Sequence, residues 1–365
     1  MKKKTNKLNL IICGIAFIVM VIVLFSEGAD KLFYAVTQMN PLFLIAAVGC
    51  MAVYWLGEAV GVHLPAKSLD EKTTFKTSFL VSMIGQYFNC ITPFASGGQP
   101  MQAYTFVKRG MSLGSAMTAL LARFIVYQFT LTVYSVIFLI FKLPEFIDGK
   151  LKPLTFLVIV GFVINTAVIV MLFMLAFFRA ATTKIAHFII RALGKVRIIK
   201  DVEDKIAYID SELDQYYENF LFIRSRPVMI LKMLGVTAVQ LLVYFSITYI
   251  IYLGFGLTGT DFFTIIACQA FVLMISAFVP LPGAMGAAEG SYGSFFHDIF
   301  GDFTLVSTFI WRFLTFYLPI LVGIVINLGL SRQGIDLSEA KEKIEEAGKS
   351  ASQEQPEIQK EMQGE

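Results

Sequence analysis

The chain is 365 residues long and 56% hydrophobic, with 30 basic against 27 acidic side chains. A mean hydropathy of +0.70 is too apolar for a water-soluble domain, and the apolar residues fall in long runs instead of the spacing of one buried core. The net charge of +3 says little about partners, and nothing in the sequence points to nucleic acid.

In chain order, Lys2, Lys3, Lys4 and Lys7 precede an apolar run at 8–25. The run is longer than the apolar core of a cleaved signal peptide, so it reads as a first membrane span. Further runs lie at 41–62, 113–141, 153–178, 228–254 and 303–330, each close to the length that crosses a bilayer as a helix. That makes about six full spans. Two other segments, 75–107 and 262–297, are apolar but broken near the middle by TPFASGGQP (Thr92 to Pro100) and PLPGAMGAAE (Pro280 to Glu289). Irregular backbone at membrane depth survives only where protein or a watery cavity satisfies its polar groups. Both segments are therefore expected to be re-entrant helical hairpins.

The two breaks repeat each other at an offset of 189 residues, which pairs Pro93 with Pro282, Gly97 with Gly286 and Arg123 with Arg312. The same offset carries 41–141 onto 230–330. With the N-terminus in the cytoplasm and each broken segment a hairpin, nineteen Lys and Arg fall on inside loops and four on outside loops, as the positive-inside rule requires. The hairpins then enter from opposite faces, and the halves are inverted repeats. The expected fold is an all-α polytopic membrane protein with inverted-topology repeats. Each repeat carries a re-entrant hairpin broken at a Pro/Gly motif. Residues 1–332 would form the membrane unit, with both termini cytoplasmic.

A polar cytoplasmic linker, about 179–227, separates the halves. Ile199, Val202, Ile206, Ile209, Leu213, Tyr216 and Phe220 step by three and four residues, which predicts one apolar helix face. That face either packs on the bundle or, helped by Arg191, Lys195, Arg197 and Lys200, lies on anionic lipid. The segment 333–365 is charged and without aromatics, a composition that predicts disorder.

Arg123 and Arg312 are the strongest candidate site residues. Each sits about ten residues, or about 15 Å, into its span. A guanidinium at that depth is costly and needs a partner, and its planar fork matches phosphate oxygens. Two readings stay open: a lipid-phosphate ligand in each half, or a clamp on the carbonyls of the adjacent break. Glu289 is a further candidate, as partner of Arg312, as headgroup ligand or as carrier of a coupling proton, and Glu58 is another acid placed to reach water. Gln86, Asn89, Thr92, Gln99, Gln102 and Tyr104 surround the first break and could bond a headgroup or the freed backbone. Pro93, Pro100, Pro280 and Pro282 interrupt the helices, and Gly97, Gly98, Gly283 and Gly286 permit the turns between them. His63, His187 and His297 are scattered, and Cys13, Cys50, Cys90 and Cys268 have no metal or disulfide spacing. No metal, cofactor or catalytic motif is therefore expected.

These motifs resemble the lysylphosphatidylglycerol synthase/flippase transmembrane family, which includes the membrane half of the multiple peptide resistance factor and stand-alone flippase-like proteins. The resemblance rests on TPFASGGQP with Arg123, and on PLPGAMGAAE followed by WRFLTFYLP, Trp311 to Pro319. It covers about 8–330. Ala284 stands where members of the family often carry a second glycine. In bifunctional members a soluble domain uses aminoacyl-tRNA to lysinylate phosphatidylglycerol. About 33 residues follow Arg332, too few for such a domain. The resemblance implies movement of an anionic or aminoacylated phospholipid between leaflets of a bacterial plasma membrane, without enzymatic activity. Two alternatives stand beside it: a non-catalytic membrane subunit that positions a lipid synthase or glycosyltransferase, and phosphatidylglycerol lysyltransferase activity itself.

Overall fold

A computed structural model describes residues 37–147, 178–195, 202–276, 279 and 281–331, with scattered positions between 156 and 170. The expected first span at 8–25, most of the expected span at 153–178, Ile199, Pro280 and the segment 333–365 lie outside the described residues.

Every regular element among the described residues is helical. Helix α1 (Pro41–Leu69) starts where Asn40 accepts a hydrogen bond from the Leu42 amide at 3.0 Å, with Pro41 in the first turn. Both features place unmade helix-start bonds where they cost least. Helix α2 (Phe75–Ile91) is capped by Thr74, which accepts from the Thr77 amide at 3.2 Å. A short 3-10 turn, Pro93–Ala95, separates α2 from α3 (Gly98–Lys108), and α4 (Leu113–Ile147) follows. Next come α5 (Arg179–Lys195), α6 (Val202–Arg224) and α7 (Pro227–Gly254). The second broken segment is α8 (Phe262–Ser276), a 3-10 turn at Pro282–Ala284 and α9 (Ala287–Phe300). The last stretch is α10 (Thr304–Arg312), a π-helical turn (Phe313–Tyr317) and α11 (Leu318–Ser331).

Among the described residues, four stretches are long and apolar enough to cross a bilayer: Pro41–Leu69, Leu113–Lys142, Pro227–Gly254 and Pro282–Gly329. Large side chains such as Leu42, Ile45, Ile140, Phe141, Val325 and Leu328 stand exposed along them. This is the surface of a membrane protein, where lipid replaces water as the outer solvent.

The arms of each broken segment pack against each other, α2 on α3 and α8 on α9, and the two breaks touch. Helices α1 and α7 pack together along the middle. Two further contacts form an exchanged pair: α11 packs on α2, and α8 packs on α4. At an offset of 189 residues each of these pairs maps approximately onto the other. Side chains from α1, α7, α8, α9 and α10 share one apolar core that includes Met51, Phe245, Phe271, Tyr292 and Trp311. A second cluster joins Tyr87 and Phe88 of α2 to Met285, Phe316 and Tyr317.

Two local departures from the sequence reading have physical causes. The run at 303–330 is not one uniform helix. Pro319 has no amide to complete an ordinary helical turn, and the preceding residues widen into the π turn. The linker is two helices, α5 and α6, joined by a His187–Asp210 pair at 2.6 Å. In α6 the side chains of Ile206, Tyr217 and Ile223 are buried, and α6 lies on α4.

Candidate functional site

The two breaks share one backbone over their first four residues and then diverge: Ser96 and Gly97 are right-handed (φ −73 and φ −82), whereas Met285 is extended (ψ 141) and Gly286 has φ 83. Thr92 and Leu281 are extended (φ −118, ψ 145 and φ −114, ψ 148), and a proline follows each. Phe94 and Gly283 then turn left-handed (φ 53, ψ 20 and φ 58, ψ 19), as do Ala95 and Ala284 (φ 52 and φ 54). The proline stops the incoming helix, and two left-handed residues reverse the chain before the next one. Gly283 also has to be small, because a Cβ there would lie 2.0 Å from the Phe316 ring. Phe94 instead points outward, 59% exposed.

Arg123 is 4% exposed and reaches across the molecule. Its Nη1 donates to Thr237 Oγ1 at 2.9 Å, and its Nη2 donates to Glu58 Oε2 and Gln240 Oε1, both at 2.6 Å. Gln240 Nε2 closes the ring by donating to the same Glu58 oxygen at 2.9 Å. Three helices thus meet at one charge pair: α1 gives Glu58, α4 gives Arg123, and α7 gives Thr237 and Gln240. Gly61 makes room for it, since a Cβ there would sit 2.6 Å from Arg123 Nε. Glu58, expected to reach water, is 13% exposed and committed to Arg123. Arg123 does not clamp the first break; its bonds go to the α1–α7 seam.

Arg312 is built differently. Its Nε donates to Glu289 Oε1 at 2.6 Å and its Nη2 to the Gly283 carbonyl at 2.5 Å. Glu289 Oε2 accepts from the Gly286 amide at 2.7 Å, so the carboxylate also caps the start of α9. The guanidinium lies over the rings of Phe316 (4.6 Å) and Trp311 (5.5 Å). Here one side chain ties the carbonyl of Gly283, within the break, to the helix after it.

Tyrosines link the two charge pairs. The Tyr127 ring lies 5.4 Å from the Arg123 guanidinium, Tyr54 and Tyr244 have ring centroids 5.0 Å apart, and Tyr244 neighbours Thr315 and Arg312. The sequence reading missed all three, along with Thr237 and Gln240. The only signal was polar groups inside apolar runs, weak against the many aromatics of a membrane helix.

The residues named around the first break serve mainly the hairpin itself. Thr92 Oγ1 donates to the Phe88 carbonyl at 2.6 Å and accepts from the Gly97 amide at 2.9 Å. Asn89 lies against Gly98, and Gln102, 8% exposed, against Gly85. Gln86 and Gln99 are half-buried, as is Tyr104, whose ring sits 5.4 Å from the Lys108 ammonium. Pro93 is exposed and Pro282 is buried.

Each guanidinium is neutralised by one carboxylate in surroundings where an unpaired charge would be costly. An incoming phosphate could take the place of that carboxylate on either arginine. Such a site can hold an anion without a large change in buried charge.

Sequence comparison places this geometry among known proteins. The chain is 25% identical over 310 residues, 83% of its length, to a "UPF0104 membrane protein" of Archaeoglobus fulgidus, 91% of which is covered. The family described as "Lysylphosphatidylglycerol synthase TM region" matches residues 11–323, a span that includes both breaks and both buried arginines, and the chain belongs to that family.

Proposed function

We propose that the protein is a lipid transporter, which moves an anionic or aminoacylated phospholipid between the leaflets of a plasma membrane. The observation that carries this reading is the pair of buried guanidinium groups, each neutralised by a single carboxylate that a lipid phosphate can replace. The touching breaks and the exchanged packing of the halves support an inverted repeat with two re-entrant hairpins. In such an arrangement, swapping the conformations of the halves turns an inward-facing state into an outward-facing one.

The proposed sequence follows from the bonding. A phospholipid headgroup enters between the hairpins while its chains stay in the bilayer. Its phosphate displaces Glu58 or Glu289 from the neighbouring arginine. Loss of the Glu58–Arg123–Gln240 ring loosens the α1–α7 seam, and loss of the Arg312–Glu289 bond frees the second break. Binding thus weakens the contacts that hold the closed arrangement, which couples cargo to motion.

The test is translocation in reconstituted vesicles. Labelled anionic or aminoacylated phospholipid should cross faster with the protein than in empty vesicles. Arg123→Gln and Arg312→Gln should each slow the crossing at least tenfold, at equal reconstituted protein. Crossing no faster than in empty vesicles, or two arginine variants indistinguishable from the parent, would overturn the proposal.

A further inference from the structure

A second lipid-binding feature lies away from the buried arginines, where α1, the end of α6 and the start of α7 meet. A cleft of about 530 Å³ opens there, lined by Leu64 and Ser68 of α1 and by Ser225, Arg226, Met229 and Lys232. Its volume falls in the range of small-molecule pockets. No acidic residue lines it. Among the described residues neither cation is paired with a carboxylate. The Arg226 guanidinium stacks 4.0 Å from the Phe222 ring, which fixes its direction while leaving its edge donors available.

An apolar stripe starts at this cleft and runs along α7. Val228, Leu231 and Val239 are 66%, 70% and 58% exposed. Gly235 falls on the same face, with nothing within 4 Å of where its Cβ would be. These positions recur at helical spacing and form one exposed apolar face with a gap at the glycine.

We infer that the cleft and stripe form a binding site for one anionic phospholipid, separate from the transport path: Arg226 and Lys232 take the phosphate, and one acyl chain lies along Val228, Leu231, Gly235 and Val239. Two cations without a carboxylate partner among the described residues, beside an exposed apolar face, match a ligand that joins an anion to an alkyl chain. A free phosphate uses only half of that surface, and a zwitterionic lipid adds a cation beside Arg226 and Lys232. The Ser68 and Ser225 hydroxyls donate to the Leu64 and Phe222 carbonyls at 2.9 and 2.7 Å. Their oxygens remain acceptors for headgroup hydroxyl groups. The orientation expected from the Lys and Arg distribution would put the cleft at the cytoplasmic leaflet, where basic side chains meet anionic lipid. The bound lipid would pin α1, α6 and α7 together.

Native mass spectrometry of the full chain in detergent, titrated with dioctanoyl-phosphatidylglycerol, tests this. One tight adduct is expected, at least tenfold tighter than with dioctanoyl-phosphatidylcholine, and not displaced by millimolar inorganic phosphate. Arg226→Gln with Lys232→Gln should weaken that adduct at least tenfold, and Arg226→Lys with Lys232→Arg should retain it. Leu231→Glu, which sets a carboxylate in the chain's path, should weaken it too. Arg312→Gln should leave it intact, which separates this site from the transport reading. Equal binding of the two lipids, displacement by phosphate, or an unchanged adduct in the Gln double variant would overturn the inference.

Discussion

Phe94 and Gly283, 189 residues apart, hold the same left-handed backbone (φ 53, ψ 20 and φ 58, ψ 19), yet one is a bulky exposed residue and the other a glycine pressed against Phe316. Substitutions should therefore act in opposite directions. Phe94→Gly removes a left-handed strain of about 1–2 kcal/mol, partly offset by added freedom in the unfolded chain. It loses little packing, since the ring is 59% exposed. The expected result is a small rise in Tm in detergent. Gly283→Ala drives a Cβ to 2.0 Å from the Phe316 ring and should lower Tm by several degrees, with a loss of more than about 2 kcal/mol. Equal shifts from both substitutions would show that the two breaks do not sit in these surroundings.

The Glu58–Arg123 pair is a buried charge pair that spans helices distant in sequence. Removing one partner leaves the other charged and alone, at a cost of about 3–5 kcal/mol. Glu58→Ala and Arg123→Leu should each destabilise by that order, and the double variant by much less than their sum. A thermal-unfolding double-mutant cycle should give a coupling of about 1–3 kcal/mol. Additive effects would mean that the two groups do not meet.

The breaks were readable because they use residues with strong local meaning. Pro93 and Pro282 stop helices wherever they occur, and an arginine inside an apolar run is conspicuous by its cost. The expected hairpin segments, 75–107 and 262–297, accordingly coincide with α2–α3 and α8–α9 within a few residues. The partners of Arg123 were not readable. At the offset that pairs the arginines, Glu58 maps to Ile247 and Gln240 to Met51, so no second copy marks them. They come together only through the packing of α1 on α7, a long-range contact without local signal. Phe94 was equally silent, because a bulky side chain gives no hint of a left-handed turn. Ala284, which stands where a second glycine was expected, takes the left-handed turn all the same (φ 54).

Gly61 is the point at which α1 admits the Arg123 side chain. A Cβ there would lie 2.6 Å from Nε and 2.8 Å from Cδ, so Gly61→Ala has to push the guanidinium away from Thr237, Glu58 and Gln240. A loss of about 2 kcal/mol or more is expected from the disturbed buried pair. Gly49, in the same helix, has nothing within 4 Å of its Cβ position. Gly49→Ala should be neutral or raise Tm slightly through better helix propensity. The contrast separates the close approach from any general intolerance of side chains on α1.

Glu289 divides its two oxygens between Arg312 and the Gly286 amide, so its substitutions should separate stability from lipid affinity. Glu289→Gln keeps one acceptor oxygen but sets an NH2 donor against the second donor and loses the charge, at a cost of about 1–3 kcal/mol. Glu289→Ala loses both bonds and leaves Arg312 unpaired, at a cost of about 3–5 kcal/mol. Thermal unfolding should therefore order the proteins as parent, Glu289→Gln, Glu289→Ala. Anionic lipid should follow a different order. If the carboxylate competes with lipid phosphate for Arg312, removing its charge favours the lipid. Glu289→Gln should then bind an anionic phospholipid several-fold more tightly than the parent while unfolding at a lower temperature. Translocation should nonetheless slow, because a lipid held too firmly at Arg312 is released less readily. Weaker binding in step with weaker folding would instead make Glu289 a brace for the second break, with no part in exchanging places with cargo.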